Sequence, residues 1–189
     1  MLAREIFTDP EVMKTSTLFA CGIPETEKEL HVTMISLLEN EQEFQKDYGL
    51  QKVWHSDLKE YIGVSGLVRR EKYNDSNYIV EGVIFLKSKY LISGFGFWTL
   101  KNLFNNMEKL NATMVASVWE ENIPSINLIK KNDMKFIRHD FKSYKGKEIK
   151  VELYLKLPRN NIMQNNVIPF PNIKQFLALE KIENFSKAS

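Results

Sequence analysis

Cysteine is almost absent from this sequence. Cys21 stands alone in 189 residues, so no disulfide can close within the chain and no metal centre can be built on paired cysteines. Nothing around Cys21 marks an activated thiol, and a packed or bystander side chain is expected there. Histidine is scarce too. His31, His55 and His139 lie far apart, and no metal is expected. Neither sign of charge prevails: 26 Lys and Arg face 24 Asp and Glu, a net charge of +2, which gives no reason to expect nucleic acid or an anionic membrane as partner. No apolar run approaches the roughly 18–20 residues of a membrane span. Met1 to Pro10 carries Arg4, Glu5 and Asp9 rather than the apolar core of a signal peptide. These absences point to a soluble, cytoplasmic protein.

What is present is enough for a full core, with 43% apolar residues in a length that suits one domain and a tail. Asp9-Pro10-Glu11-Val12-Met13 is a helix start, with Asp as N-cap and Pro in the first turn. After a break at Gly22 to Pro24, Glu25 to about Gln45 reads as a long amphipathic helix with Leu30, Met34, Leu37 and Leu38 on one face. Tyr48 to Ser56 and Glu60 to Glu71 read as strands joined by Asp57-Leu58-Lys59 into a hairpin. Gly63 and Gly66 within it suggest a bulge or a close neighbour. Tyr78 to Leu86 is a near-continuous apolar strand, the pattern of burial on both faces.

A helix follows on Leu100, Leu103, Phe104, Met107 and Leu110, then a strand over Ala112 to Trp119. Ser125 to Lys131 is a short helix that Asn132-Asp133 would end. Met134 to Tyr144 and Glu148 to Leu157 form a last hairpin. This order predicts an α/β mixed sheet with helices on both faces, whose two apolar strands are parallel neighbours. Residues 1–157 form the expected domain and 158–189 a C-terminal extension. In the extension, Asn172 to Phe185 reads either as an amphipathic helix that docks on the domain or a partner, or as a poorly ordered tail. Monomer and homodimer both stay open.

The candidate chemistry gathers where the first apolar strand gives way to its helix, at Tyr90 to Thr99. A strand, a glycine turn and a helix point backbone N–H groups and the positive end of the helix dipole at one spot, which suits a phosphate. Gly94 and Gly96 permit positive φ and close approach; the plainer reading is a tight turn with glycines for steric reasons. Glu81 is the one charge within Tyr78 to Leu86. It is either a general base with its pKa raised by burial or a partner of Arg69 or Arg70 across the sheet. Asn122 and Ser125 lie at the mouth of the next strand, on the carboxyl edge where open α/β sheets bind ligands, though ordinary helix capping explains them equally. Tyr48, Trp54 and Trp98 are candidates for shaping an acceptor pocket, with core packing as the alternative.

Gly94-Phe95-Gly96 after an apolar strand, followed by Ala116 to Phe136 (ASVWEENIPSINLIKKNDMKF), resembles the GNAT superfamily of acyl-CoA N-acyltransferases. Within it the pattern is most similar to the branch that includes the acetylases of ribosomal-protein N-termini, which the Asp9-Pro10-Glu11-Val12-Met13 opening and Glu81 also fit. The resemblance covers roughly residues 8 to 157 and implies a central, mostly antiparallel sheet with one splayed parallel pair, here without the usual first strand.

The resemblance further implies a transferase that moves an acetyl group from acetyl-CoA to a primary amine, on a protein N-terminus or a small molecule. Backbone groups of Leu91, Ile92, Ser93, Gly94, Phe95, Gly96 and Phe97 would hold the pyrophosphate. The strand around Val83, Phe85 and Leu86 would pair with the pantetheine amides. Asn122 and Ser125 would line the cofactor and acyl end, and Glu81 would take the amine proton directly or through water. The sequence departs from the family at Leu91, where Arg or Gln is usual, leaving Lys87 or Lys89 as substitutes, and at Ile129, where other branches carry a tyrosine acid. The alternative from another class is a degenerate GNAT domain without activity, serving as an interaction module. A different nucleotide fold fits less well, because no Lys-Ser/Thr follows the glycines and the acidic residue expected about 20 positions on has no clear counterpart after a strand.

Overall fold

The structure, a computed structural model, describes residues 2–13, 26, 28–29, 31, 46–74, 77–144 and 147–159. Lys28, Glu29 and His31 are helical and Thr26 is a bend whose hydroxyl accepts from the Glu29 N–H at 3.1 Å; the rest of the expected helix over 25–45 lies outside the described residues, as do Cys21 and the expected C-terminal helix. The chain divides into a unit of residues 1–157 and a second of 158–189, and the fold below is that of the first.

Its elements are α1 (Leu2–Phe7), α2 (Pro10–Met13), β1 (Gln51–His55), β2 (Glu60–Asn74), β3 (Asn77–Leu86), a 3-10 turn (Ser88–Tyr90), α3 (Phe95–Lys109), β4 (Thr113–Trp119), α4 (Ile123–Lys130), β5 (Lys135–Tyr144) and β6 (Lys147–Lys156). The strands form one six-stranded sheet in the order β1-β2-β3-β4-β6-β5. Every pairing is antiparallel except β3 with β4. This is the mixed, mostly antiparallel architecture expected, with helices on both faces. The short helix α1 was not foreseen; it buries Ile6 and Phe7.

Strand alternation divides the core. Leu67, Val80, Met114, Ala116, Val118 and Tyr154 pack beneath α3 and α4, with Leu100, Leu103, Phe104, Met107, Ile126 and Ile129 above them. On the other face Val64, Val68, Val83 and Phe85 pack with Ile6, Phe7, Val12 and Met13. Burying such a side chain contributes on the order of 1.5–3 kcal/mol, so each face has its own anchor.

The first hairpin is tighter than its pattern suggests. β1 begins at Gln51 rather than Tyr48, because the Tyr48 carbonyl accepts from the Leu67 N–H at 2.8 Å and the chain there runs close over β2. A Cβ at Gly66 would lie 2.3 Å from the Gly49 carbonyl oxygen, which explains that glycine. Gly63 opposes Val53 and Tyr61 opposes Trp54, so Ile62 is the extra residue of a bulge. Bulge and close neighbour are therefore both present.

Candidate active site

The parallel pair at the centre of the sheet is short. β3 and β4 pair only at Ile79, Val80 and Glu81 with Thr113, Met114 and Val115. Beyond Glu81 the two strands part, yet each keeps its outer neighbour: β3 stays paired with β2 up to Leu86, and β4 with β6 up to Trp119. The inner edges, Gly82 to Leu86 and Ala116 to Trp119, thus face each other across a gap, and among the described residues no strand fills it. Backbone N–H and C=O groups on such edges need partners.

Glu81 sits at the last pair before the gap. It is 8% exposed and shares its face of β3 with Val83 and Phe85, the face that α1 and α2 cover. Its cross-strand neighbour on β2 is Val68, while Arg69 stands opposite Val80. A carboxylate among apolar neighbours is costly unless solvated or engaged. On β4 the residue level with it is Val115, and the next on that face is Ser117, whose hydroxyl oxygen is buried. Ser117 was missed in the sequence; counting by twos from Val115 would have found it.

At the carboxyl end of β3 the chain makes the 3-10 turn, then enters α3 through Ile92 at φ 63° and Gly94 at φ 89°. Left-handed backbone is ordinary for glycine and strained for a β-branched residue, and Ile92 adopts it with its side chain 91% exposed. Gly94 is the N-cap of α3 and offers no side-chain acceptor, and the Ser93 hydroxyl donates back to the Tyr90 carbonyl at 2.5 Å instead of capping the helix. The first N–H groups of a helix have no partner within it. A Cβ on Gly94 would meet nothing within 4 Å, so the turn opens onto free space. Gly96 differs: a Cβ there would lie 3.3 Å from the Leu128 side chain, so this glycine also eases the packing of α4 on α3. Phe95 anchors the turn, its ring meeting His55 at 4.7 Å and Tyr90 at 5.5 Å.

The second strand-to-helix junction lies on the same edge. Asn122 is the N-cap of α4, and its side-chain oxygen accepts from the Ser125 N–H at 3.2 Å. With this cap, and with Pro124 suited to a first turn, α4 starts at Ile123 rather than at Ser125.

The α1–α2 corner is pinned to the exit of β3. Phe7 meets Phe85 ring to ring at 5.1 Å, and Glu5 pairs with Lys87 at 3.0 Å. The Asp9 carboxylate accepts from the Ser88 hydroxyl, which chiefly lowers its pKa, and from the N–H groups of Glu11, Val12 and Ser88; slight burial acts the other way. One carboxylate thus caps α2 and the turn that leads to Gly94. Lys89 is held by Glu60 at 2.9 Å. Both lysines offered as substitutes for the cation missing at Leu91 are therefore engaged by carboxylates.

Of the aromatics offered for an acceptor pocket, Trp54 lies on the Glu81 side of the sheet, beside Tyr61 at the β1 edge. Tyr48 packs against the core beneath α3, and Trp98 rides on α3 itself, so neither stands on that side. Among the described residues no three His, Cys, Asp or Glu gather as a metal site, and no helix is long and apolar enough to cross a membrane.

No family model matches the sequence, and no curated protein matches it. Solved structures do. A GNAT superfamily phosphinothricin acetyltransferase from Sinorhizobium meliloti, in complex with acetyl-CoA, is 15% identical with a TM-score of 0.61, covering 89% of this chain and 93% of that one. An acetyltransferase of the GNAT family from Bacillus anthracis is 17% identical with a TM-score of 0.59, covering 82% and 86%. RimL, a ribosomal L7/L12 alpha-N-protein acetyltransferase in complex with coenzyme A, is 13% identical with a TM-score of 0.62, covering 83% and 86%. At these identities the likeness is one of architecture: the chain has the fold of the GNAT acetyltransferases.

Proposed function

We propose that the chain is an N-acetyltransferase that moves an acetyl group from acetyl-CoA to a primary amine. The observation that carries this reading is the gap between β3 and β4, which begins at Glu81 and ends at the open turn of α3. A ligand with amides along its length would satisfy the inner edge of β3 around Val83, Phe85 and Leu86, as an added strand would. The Leu91 and Phe97 N–H groups already donate to the Ser88 and Gly94 carbonyls, so within the turn from Leu91 to Phe97 those from Ile92 to Gly96 would hold the phosphates at the helix terminus. The likeness to folds solved with acetyl-CoA and coenzyme A supports that ligand.

In this reading Glu81 takes the proton of the incoming amine, directly or through water. The neutral amine attacks the thioester carbonyl, a backbone N–H on the inner edges stabilises the oxyanion, and the C–S bond breaks. The leaving thiolate takes up a proton, with Ser125 as the hydroxyl proposed to meet it. Asn122 holds that first turn of α4 at the mouth of the gap. The acceptor is a protein N-terminus or a small amine.

Steady-state assays of wild type and Glu81→Gln with acetyl-CoA and a primary amine test this reading. The variant should lose about 10²–10⁴-fold in kcat/KM, the usual worth of a general base, and least at high pH where the amine is already neutral. Full activity of the variant across pH would remove Glu81 from the role.

The second reading, a domain without activity that serves as an interaction module, is favoured by the ion pairs of Lys87 and Lys89 beside Leu91, which leave that part of the turn without a ready cation. Calorimetric titration decides. Micromolar binding of acetyl-CoA supports the enzyme, and no heat up to millimolar supports the module.

A further inference from the structure

α3 carries a second surface that the reading above does not use. The helix buries Thr99, Leu100, Leu103, Phe104 and Met107 against the sheet. Trp98, in its first turn, is instead 69% exposed. An indole contributes most when it is covered, so an exposed one beside an open helix terminus suggests a face kept for a ligand. The Phe97 ring stands edge to face with it at 5.8 Å, and the Lys101 ammonium lies 5.3 Å from the centre of the Phe97 ring. Lys101 follows Trp98 at i+3, the spacing of neighbours on a helix surface. Unlike Lys87 and Lys89, Lys101 stands in no ion pair among the described residues. An indole and a cation thus flank the Phe97 ring on neighbouring turns of the helix, within about two turns of Gly94.

We propose that Trp98 and Lys101 take the adenosine 3′-phosphate end of the cofactor, with the base stacked on the indole and the 3′-phosphate on the ammonium. The proposal rests on the acetyl-CoA reading. Charge complementarity and continuity with the turn select this occupant. A pyrophosphate on the α3 N-terminus brings its attached nucleoside within reach of the first helical turn, and that nucleoside carries both a π-face and a dianion. A protein partner would use the aromatic rings but has no need of a cation set beside them.

The experiment titrates the full chain, Trp98→Ala and Lys101→Gln with three probes: acetyl-CoA, acetyl-dephospho-CoA and acetyl-pantetheine. Trp98→Ala should weaken both nucleotide-bearing probes about tenfold, the scale of one base–aromatic stack, and leave acetyl-pantetheine unchanged. Lys101→Gln should weaken acetyl-CoA alone, by a few-fold at low salt and less at high salt, as expected of an exposed charge. Equal binding of acetyl-CoA by wild type and both variants overturns the proposal, and so does an equal loss for acetyl-pantetheine. A Trp98→Ala protein that sediments differently while binding acetyl-CoA normally would assign the patch to a protein contact and also overturn it. A wild type that binds none of the probes takes the parent reading down as well, which separates that failure from the others.

Discussion

Two strand-to-helix junctions lie on one edge of this sheet, and they are built oppositely. β4 enters α4 through Asn122, whose side chain supplies the acceptor that the Ser125 N–H needs. β3 enters α3 through Gly94, which has no side chain to cap the helix and meets only the Phe97 N–H, through its carbonyl at 3.0 Å, while Ser93 turns its hydroxyl back to Tyr90. The closed junction is complete within the protein. The open one leaves donors at the positive end of a helix running from Phe95 to Lys109, in free space beside Gly94. Two parallel strands with the same polarity therefore give one junction capped by its own side chain and one left open. The difference follows from Asn122 in one cap and Gly94 in the other, together with Pro124, which has no N–H, and the Glu121 carbonyl, which takes the Ile123 N–H.

The strongest way to break the comparison is to close the open junction. Gly94→Val places a β-branched side chain at φ 89°, which costs roughly 1–2 kcal/mol or more in backbone strain, and fills the space before the N–H groups. Acetyl-CoA affinity should fall by more than about tenfold, beyond what the loss of stability explains, as read by calorimetry beside a thermal melt. Wild-type affinity in this variant would mean that the turn does not hold the phosphates.

Opening the closed junction should do something else. Asn122→Ala removes the acceptor of the Ser125 N–H, and an N-cap is worth about 1 kcal/mol. In a domain of this size that lowers the melting temperature by about 2–4 °C. Acetyl-CoA affinity should fall by only a few-fold, since the cap acts through α4. A loss as large as that of Gly94→Val would erase the distinction between the junctions.

The same contrast marks how far the sequence could be read. Period-2 and period-3.6 patterns located β1 to β6, α3 and α4 because each element buries one or both faces against a neighbour, and the run from Tyr78 to Leu86 announced its central place. The glycine turn and Glu81 were legible since a lone carboxylate and a Gly-x-Gly are conspicuous in apolar surroundings. Two glycines in one motif nevertheless do different work. Gly94 takes a positive φ, whereas Gly96 lies against the Leu128 side chain of another helix, a neighbour no local pattern reveals. Trp98 was grouped with the acceptor side, yet its helix packs on the opposite face. The carboxylates Glu5, Asp9 and Glu60 that hold Lys87, Ser88 and Lys89 come from segments remote in the chain, and side-chain pairings of that kind leave no periodic trace.

Asp9 gives the smallest and most specific effect, because it ties the open junction to the N-terminal corner. Its pKa is lowered, first by the Ser88 hydroxyl and then by the backbone N–H groups it accepts from. A carboxyl group whose pKa is depressed by folding stabilises the native state at pH values above its unfolded value, about 3.9. That contribution fades as pH falls through the lowered native value. Asp9→Asn should therefore melt slightly below wild type from neutral pH down to about 5, with the gap closing on further acidification below about 4. Because Asp9 caps both α2 and the turn that leads to Gly94, the variant should also bind acetyl-CoA somewhat more weakly at neutral pH, and much less so than Gly94→Val. A gap in melting temperature that stayed constant from pH 7 to 3 would show that the ionised carboxylate is not what fastens the corner to the turn, and the open junction would then owe its shape to Ile92 and Gly94 alone.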